Sequence, residues 1–435
     1  MTGNKLPLDG IRVIDITVVW AGPYATQLLA DWGAEVVRVE PIDAFQPLSR
    51  GHRARPSKKE IMARKTWETA FPDWDPGARP WNRSPSFNVH ARNKKSMTLN
   101  ISRPEGAAIF HRLVAVSDVL IENNVPTTGE KLGLSYEVLR KINPALVMIR
   151  MPGFGLEGPY RKFRCLGSHI DGISGHTQIR GYPDLGLEFQ EDVFFSDAAG
   201  GVNGALAIMM ALRYRRRTGQ GQLIELAQVE NYASYVGDVT MDYLLNSRVQ
   251  TTLGNRHRSM APHGCYPCRG DDQWAVMGIA TEEQWAGLCR AMGSPPWTRD
   301  LRFADTLRRF DNQDELDQLI SQWTKTLDKR VVMETLQKEG VPAAAVLDQA
   351  EVYRDPHLRE RRFFQTISHS ETGTYEFPAI IAKFSRTPNA IRTPPPLLGE
   401  HNEYVYKEVL GVSDAEYRRL EDSGHIGMDY HPSIP

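Results

Sequence analysis

Asp197 is the residue whose type and surroundings best suit covalent chemistry. It lies in the segment FFSDAAGG (residues 194–201), just before small and apolar residues that predict a helix over residues 201–212. An aspartate at this position commonly caps a helix with its side chain. The same position also favours an ionised carboxylate and places backbone N–H groups where they can stabilise an oxyanion. The small neighbours leave room for a substrate, so the pattern fits either a structural cap or a reactive group.

Two other segments could bind ligands. The glycine-rich loop GFGLEGP (residues 153–159) follows a predicted strand, although such loops are common in turns. A long polar segment, residues 42–92, is basic in its first part and rich in tryptophan and proline in its second. It fits a solvated surface loop, or a lid whose Lys and Arg side chains bind an anion and whose closure excludes water.

Metal binding has weak support. Cys265 and Cys268 form a single CxxC pair with His257 and His263 nearby, and a strand is predicted directly after it. A structural zinc site normally needs a second pair of ligands at matching spacing, so no metal site is predicted.

The elements that must position these residues begin with a predicted βαβ unit over residues 10–41. A short β-branched run at residues 11–16 predicts a buried strand, and the turn AGP (residues 21–23) leads into a helix. Gly33 suits the helix end, and Glu35–Glu40 predicts the next strand. Ligands bind at the mouth of such units in open α/β sheets, but the GxGxxG pattern of dinucleotide-binding proteins is absent.

Strands then alternate with helices, which predicts an α/β fold with a doubly wound, mostly parallel, Rossmann-like sheet. Further strands are predicted at residues 97–101, 118–122, 145–151 and 223–226, with a capping box at residues 102–105. The predicted domains are a large domain over residues 1–226, a linker helix over residues 227–247, a smaller α+β domain over residues 248–345, and a return to the large domain over residues 346–435.

The composition excludes several classes of protein. The 435 residues include 41% hydrophobic and 24% charged residues, and the formal net charge is −1. These values are typical of soluble globular proteins, so neither nucleic acid nor a membrane is an expected partner. The first nine residues do not form a signal peptide, and four cysteines do not make a disulfide framework; a cytoplasmic location is expected.

Motifs in a constant order resemble those of the class III CoA-transferases (the CaiB/BaiF group), which include the formyl-CoA and carnitine CoA-transferases. The matching segments are LDGIRVIDIT (8–17), AGP (21–23), LADWGAEVVRVE (29–40), RNKKS (92–96), RPEG (103–106), SDVLIEN (117–123), KLG (131–133), NP (143–144), GFGLEGP (153–159) and PPPLLGEHN (394–402). Asp197 stands where the family has its aspartate nucleophile, four residues before Gly201. An ordered series of this kind is far more specific than any single short motif.

The resemblance implies a fold, a mechanism and binding residues. It implies two interlocked chains, each with a large and a small domain, and a CoA thioester that is a substrate rather than a permanently bound cofactor. Asp197 would attack an acyl-CoA such as succinyl-CoA, forming a mixed anhydride and then an aspartyl-CoA thioester. The positions that match the family's CoA contacts are Val18, Trp20, Ala21, Leu99, Ser102, Asn123, Asn124, Val125 and Lys131.

Alternatives remain open at this point. The family also includes acyl-CoA racemases, but their catalytic His-Asp pair matches Leu166 and Gly167 here, which argues against racemase or isomerase activity. The chain could also be a non-catalytic CoA-binding subunit of a heteromeric transferase with a paralogous partner, in place of a homodimer. The family's histidine and glutamine in the first turn are replaced by Val18 and Trp20.

Overall fold

A six-stranded parallel sheet forms the centre of the first of two units in the computed structural model. The model describes residues 5–189 and 194–435. The first unit contains the described residues of 1–176, 192–241 and 362–435, and the second contains those of 177–191 and 242–361. The sheet strands are β1 (Arg12–Asp15), β2 (Glu35–Glu40), β3 (Lys94–Thr98), β4 (Val119–Glu122), β5 (Val147–Arg150) and β6 (Gln222–Glu225).

The strand order β3-β2-β1-β4-β5-β6 confirms the predicted doubly wound, Rossmann-like sheet. Every pair of neighbours is parallel, with Val13 of β1 opposite Val36 of β2 on one side and Val119 of β4 on the other. Because the chain order reverses between β1 and β4, the crevice at the carboxyl ends of these two strands is the expected ligand site.

Helices of the first unit surround this sheet. They are α1 (Ala21–Asp31), α2 (Lys58–Arg64), α3 (Pro80–Arg83), α4 (Pro85–Asn88), α5 (Pro104–Ala115), α6 (Pro126–Lys131), α7 (Tyr136–Ile142), α8 (Gly167–Ile173), α9 (His176–Ile179), α10 (Phe195–Thr218), α11 (Gln228–Ala233) and α12 (Gly237–Asn246). Two of these helices, α9 and α12, continue into the second unit. Towards the C-terminus the unit adds an antiparallel pair, Phe364–His369 with Gly373–Pro378, a π-helical turn at Tyr404–Val409 and a helix at Asp414–Asp422.

Several local predictions differ from the structure. The third strand begins at Lys94 rather than at residue 97. Ser102 does not cap α5, because its hydroxyl donates to Asn100 Oδ1 and Arg103 occupies the cap position without a side-chain bond. The long helix predicted over residues 227–245 is interrupted by a 3₁₀ turn at Ser234–Val236.

Alternating side chains of the sheet build two hydrophobic cores. Val13, Val36, Val119 and Val147 face one side, where they join apolar residues of α1 and α10. Their neighbours, among them Ile14, Val37, Leu120 and Met148, face the other side and pack with residues of α5 and α7. Both faces are covered, as parallel sheets require, which explains why the strands are apolar at successive positions.

Small residues allow α1 and α10 to pack closely. A Cβ atom added to Gly201 would lie 2.7 Å from the Tyr24 ring, and one added to Gly204 would lie 3.0 Å from Met151. This approach brings the first turn of α10 beside the first turn of α1, where Ala21 lies. Helix α10 is long and apolar enough to span a membrane by length and composition, but 56% of its most apolar window is buried inside the protein.

The second unit has its own sheet and core. Strands β7 (His263–Pro267), β8 (Trp274–Gly278) and β9 (Ala343–Ala345) are antiparallel. The helices are α13 (Glu282–Ala291), α14 (Thr306–Asp311), α15 (Gln313–Thr324), α16 (Lys329–Lys338), α17 (Gln349–Arg354) and α18 (Pro356–Glu360). The predicted small domain, residues 248–345, falls inside this unit, which extends further at both ends. Cys265 and Cys268 are free thiols, and the described residues contain no group of three metal-ligating side chains.

A buried chain of alternating charges ties the sheet edge to the segment that follows β2. Asp15, at the end of β1, accepts from Lys94 Nζ and from Arg38 Nη1, each at 3.1 Å. Arg38 Nε lies 3.5 Å from Glu40, which in turn binds Arg50 at 2.9 Å. Burial alone would raise the pKa of Asp15, but Lys94, Arg38 and the Thr17 hydrogen bonds outweigh it and hold that pKa well below its usual range.

The buried ion pair between Lys94 and Asp15 is expected to stabilise the fold. Lys94→Met leaves Asp15 buried beside one cation fewer, so we expect the free energy of unfolding to fall by about 3 kcal/mol in urea denaturation at pH 7.5. The matched control is Lys58→Met, because the Lys58 side chain is 63% exposed and lies 3.7 Å from Asp75. We expect the control to lose less than about 1 kcal/mol. Equal losses in the two variants would contradict a stabilising role for the buried charges.

Candidate active site

The turn after β1 is held against the end of β4 by one amide side chain. Asn123 Oδ1 accepts from the Val18 backbone N–H at 2.7 Å, and Asn123 Nδ2 donates to the Val18 carbonyl at 2.8 Å. Val19 adopts a left-handed conformation with φ of 64°, which is unusual for a β-branched residue. The turn is therefore fixed at the crevice where the strand order reverses.

Asp197 is the third residue of α10 and does not cap the helix. The cap position belongs to Phe194, whose φ of 48° is left-handed and whose side chain makes no cap hydrogen bond. The Asp197 side chain instead points to Gly167, where an added Cβ would lie 2.2 Å from Oδ2. The residue is only 7% exposed, and a backbone hydrogen bond at Ala21, the first residue of α1, reaches its carboxylate. The carboxylate thus lies at the N-termini of two helices.

The pKa of Asp197 is raised to about 6, mainly because the carboxyl group is buried. The Ala21 backbone N–H lowers this pKa, and the neighbouring Asp171 carboxylate raises it further. Asp171 lies on α8, is fully buried, and has no hydrogen-bond partner for either oxygen in the described part of the chain. A carboxyl group with a pKa of about 6 is ionised at neutral pH yet more basic than an ordinary aspartate, which suits a nucleophile.

Two cavities meet at Asp197. The smaller one, of about 60 Å³, is lined by Val18, Val19, Asn123, Val125, Gly153, Cys165, Leu166, Gly167, Ile170, Asp197 and Gln228. The larger one, of about 620 Å³, is lined by Val19, Trp20, Leu48, Gly51, His52, Trp67, Glu68, Pro85, Ser86, Val89, His90, Leu166, Gly167, Ser168, Phe194 and Asp197. The carboxylate therefore separates a polar crevice at the sheet edge from a wider aromatic chamber.

Cys165 is the other nucleophile in the smaller cavity. Burial and the neighbouring Asp197 charge raise the pKa of its thiol to about 11. Because the thiolate is the reactive form, this thiol is not a competing nucleophile at neutral pH.

The segment of residues 42–92 forms more than half of the wall of the larger cavity. Its aromatic side chains join those of the first turn and of α10, since the Phe194 ring lies 5.6 Å from Trp20 and 6.1 Å from Trp67. The sequence did not single out Trp67 or His90, and the tryptophan-rich composition of the segment was the only signal for such a wall.

The basic side chains of this segment lie elsewhere. Arg50 is buried against Glu40, Arg53 binds Glu60 on the surface, and Arg55 donates to the Tyr430 carbonyl near the C-terminus. None of them lines the larger cavity. The larger cavity therefore gives no support to the interpretation that the basic cluster binds an anion. The position of the segment on the cavity wall does fit a lid.

The structure brings some of the predicted CoA contacts together and leaves others apart. Val18, Asn123 and Val125 line the smaller cavity, Trp20 lines the larger one, and Ala21 bonds Asp197. Asn124 donates its backbone N–H to Glu122, which closes the turn after β4.

The remaining contacts lie further along the sheet edge or on its rim. Leu99 is 1% exposed in the hydrophobic core, so only its backbone is available, and Ser102 is exposed. Both residues follow β3. Because β2 lies between β3 and β1, the axes of β3 and β1 are about 10 Å apart. Lys131 is exposed at the end of α6.

The histidines near the matched motifs have structural partners. His169 Nδ1 accepts from the Leu166 backbone at the start of α8, and His401 Nδ1 accepts from the Ser96 backbone. The racemase-type pair has no counterpart in the cavities, because the matching positions are the apolar Leu166 and Gly167.

Comparison with known proteins agrees with this geometry. A model of CoA-transferase family III matches residues 8–402. The succinyl-CoA–D-citramalate CoA-transferase of Chloroflexus aurantiacus is 33% identical over 417 residues, which cover 95% of this chain and 97% of that protein. The beta subunit of the succinyl-CoA–L-malate CoA-transferase of the same organism is 33% identical over 421 residues, covering 96% and 98%.

A solved structure shows the same similarity in three dimensions. The crystal structure of a CaiB/BaiF family protein from Brucella suis matches with a TM-score of 0.79 at 29% identity, covering 93% of this chain and 100% of that one. The family model and these relatives span nearly the whole chain, and the protein therefore belongs to CoA-transferase family III and is a CoA-transferase.

Proposed function

We propose that this chain moves CoA from an acyl-CoA donor to a carboxylic acid acceptor through covalent intermediates on Asp197. The observation that carries the proposal is the position of its carboxylate, which faces the crevice at Val18 and Asn123 on one side and the aromatic chamber on the other. CoA would approach through the first cavity and the acyl group would occupy the second. No permanently bound cofactor is needed, because the CoA thioester is a substrate.

The reaction would proceed by four acyl exchanges. An Asp197 oxygen attacks the thioester carbonyl, the C–S bond breaks, and the CoA thiolate leaves a mixed anhydride on the enzyme. The thiolate attacks the Asp197 carbonyl carbon, and the donor acid departs as a carboxylate, leaving an aspartyl-CoA thioester. The acceptor carboxylate attacks the aspartyl-CoA carbonyl carbon, which releases the CoA thiolate and forms a second mixed anhydride. The thiolate then attacks the carbonyl carbon of the acceptor, which gives its CoA ester and frees the Asp197 carboxylate. Each step exchanges one activated acyl bond for another, so no step requires the free thioester energy to be lost.

The backbone around Asp197 suits the charges of these steps. The Ala21 N–H opens α1, and the carboxylate lies in the first turn of α10, so both helix N-termini favour negative charge that develops at the reacting carbonyl. The lid-like segment of residues 42–92 covers the chamber beside Asp197. Exclusion of water is needed there because a mixed anhydride hydrolyses readily.

The CoA-binding role is assigned to the sheet edge. Val18, Trp20, Ala21, Asn123, Asn124 and Val125 would contact the pantetheine arm, whereas Leu99, Ser102 and Lys131 would contact the nucleotide end further along the edge. Succinyl-CoA is the first donor to test, because the two relatives from Chloroflexus aurantiacus are named for it.

The nucleophile is tested by trapping. Incubation with acyl-CoA and hydroxylamine is expected to convert the enzyme-bound thioester into a hydroxamate on Asp197, detected by mass spectrometry of the peptide. Asp197→Asn should abolish the adduct and reduce kcat by at least about a thousandfold. Asp171→Asn is the matched control, because it makes the same change at a buried carboxylate that lines neither cavity. Full activity in Asp197→Asn, or an adduct on another residue, would refute the mechanism.

The pH dependence follows from the raised pKa of Asp197. The carboxylate must be ionised to attack, so kcat/KM is expected to rise with pH through an apparent pKa of about 6 and to level off above it. Asp171→Asn removes the neighbouring negative charge, so the rise of kcat/KM should occur at lower pH in this variant. If the apparent pKa of kcat/KM is the same in Asp171→Asn as in the wild type, a group other than Asp197 controls the pH dependence.

Stability gives an independent measure of the same pKa. Because the folded pKa lies above the unfolded value, protonated Asp197 stabilises the fold at low pH, and this contribution is lost as pH rises through about 6. Asp197→Asn is therefore expected to be more stable than the wild type at pH 8, by about 2–3 kcal/mol, with the difference vanishing below about pH 4.

We also propose a homodimer, as the resemblance implies. Helix α10 exposes a row of apolar side chains, including Val202, Leu206 and Met210, which recur at helical spacing on one face. The mass in solution is expected to be twice the 49.1 kDa of one chain, and Leu206→Glu should weaken the dimer. Leu301→Glu alters a leucine of the second unit that is even more exposed, and it serves as the control. Co-purification of a second chain of similar size would instead indicate a heteromer.

A further inference from the structure

We propose that the acids exchanged at Asp197 have apolar, uncharged bodies, so that this chain selects monocarboxylic over dicarboxylic acids. The inference rests on the proposed function, because it assumes that the larger cavity holds the acid whose carboxyl group reacts with Asp197. It goes further in naming the class of acid that this cavity recognises.

Among the described residues, the wall of the larger cavity carries no lysine or arginine that could neutralise a second carboxylate. The four residues that precede Phe194, Gln-Glu-Asp-Val, also contain none in the sequence. Dicarboxylate binding normally uses an arginine or lysine for the distal carboxylate, since a charge in an apolar site is costly unless it is paired.

The cations behind His90 are already engaged by carboxylates. Lys94 and Arg38 lie beside His90 next to a very small cavity, but both bind Asp15, and Arg50 binds Glu40. Each of the three is engaged by a buried carboxylate, so none of them can bind a ligand without breaking an ion pair.

The histidines of the wall do not supply the missing charge. His90 is buried and its ring lies 5.4 Å from Trp20 and 5.7 Å from Tyr24. Burial, together with Lys94 and Arg92, lowers the pKa of His90 to about 3, so the imidazole is neutral at physiological pH. His52 Nε2 is already hydrogen-bonded to the Glu68 carboxylate, which would repel a second anion.

Aromatic and aliphatic side chains form most of the remaining wall. Trp20, Phe194 and Trp67 form a continuous series of ring contacts, and Leu48 and Val89 lie on the same cavity. The volume of about 620 Å³ is several times the ~150 Å³ of a cavity that holds benzene, so a ring or a branched chain fits. Such a body would bury apolar surface against these rings, which favours binding.

This preference separates the chain from the relatives named above, because citramalate and malate each carry two carboxyl groups. It applies to both half-reactions, since donor and acceptor acids occupy the same cavity in turn. An acyl-CoA with an apolar acyl group is therefore expected to be a faster donor than succinyl-CoA.

A competition experiment tests the inference directly. Equal concentrations of pentanoate and glutarate, which differ only in a terminal methyl or carboxylate, are offered with one acyl-CoA donor, and the two CoA esters are quantified by mass spectrometry. The product ratio gives the ratio of kcat/KM values, and the donor cancels. We expect at least a tenfold excess of pentanoyl-CoA, and 3-phenylpropanoate should compete at least as well as pentanoate.

A variant that adds a cation sharpens the test. Trp67 lies on the exposed rim of the cavity, where its side chain can be replaced without opening the core. Trp67→Arg should shift the ratio towards glutarate by at least tenfold, whereas Trp67→Gln, which also removes the ring but adds no charge, should shift it far less. Fluorescence titration of Asp197→Asn, which binds without turnover, should rank the acids in the same order.

The outcomes distinguish this inference from the proposed function. If glutarate equals or exceeds pentanoate in the unmodified enzyme, the substrate class is wrong although CoA transfer through Asp197 stands. If the Arg and Gln variants shift the ratio equally, the missing cation is not the determinant of selectivity and the inference is refuted. If neither acid yields a CoA ester with any donor and no adduct forms on Asp197, the proposed function itself fails.

Discussion

A buried chain of five alternating charges fixes the edge of the sheet on which the site depends. Asp15 holds Lys94 and Arg38, and the chain continues through Glu40 to Arg50. Arg38 also donates to the Thr17 carbonyl, directly before the turn at Val18. Because buried charges are stable only when paired, the ends of β1, β2 and β3 and the start of the covering segment cannot shift independently. The turn at Val18 and Val19, which lines both cavities, is thereby fixed relative to the segment of residues 42–92.

A second constraint, independent of charge, positions the nucleophile. Gly201 lets α10 approach α1 closely, since an added Cβ would lie 2.7 Å from the Tyr24 ring, and Gly167 leaves space for the Asp197 carboxylate. Electrostatic pairing fixes one wall of the site and close helix packing fixes the other. Both constraints are contacts within the protein, so the cavity is organised before any substrate binds, as electrostatic stabilisation of a transition state requires.

The sequence predicts the parts of this arrangement that depend on local patterns. Buried β-branched strands and alternating helices lead to the doubly wound sheet, and the ordered motifs lead to the family. Parts set by long-range contacts are not predictable in this way. Residues 42–92 have no periodicity, and their path is set by Arg50 binding Glu40 and by Arg55 binding the C-terminal backbone. Their basic side chains therefore suggested an anion site, although the side chains that line the cavity are Trp67, His90 and their neighbours. Ser102 was expected to cap α5, but the local bond to Asn100 takes its hydroxyl.

The environment of Asp197 balances two opposing requirements. A mixed anhydride must be shielded from water, and the burial that shields it also raises the pKa of the carboxylate. Burial and the neighbouring Asp171 carboxylate both push this pKa upward, away from the ionised form that attacks. The Ala21 N–H opposes this effect, so that a pKa of about 6 leaves about nine-tenths of the carboxylate ionised at pH 7. The close packing of α1 on α10 thus has a chemical consequence, since it places the Ala21 backbone where it lowers the pKa of the buried carboxylate.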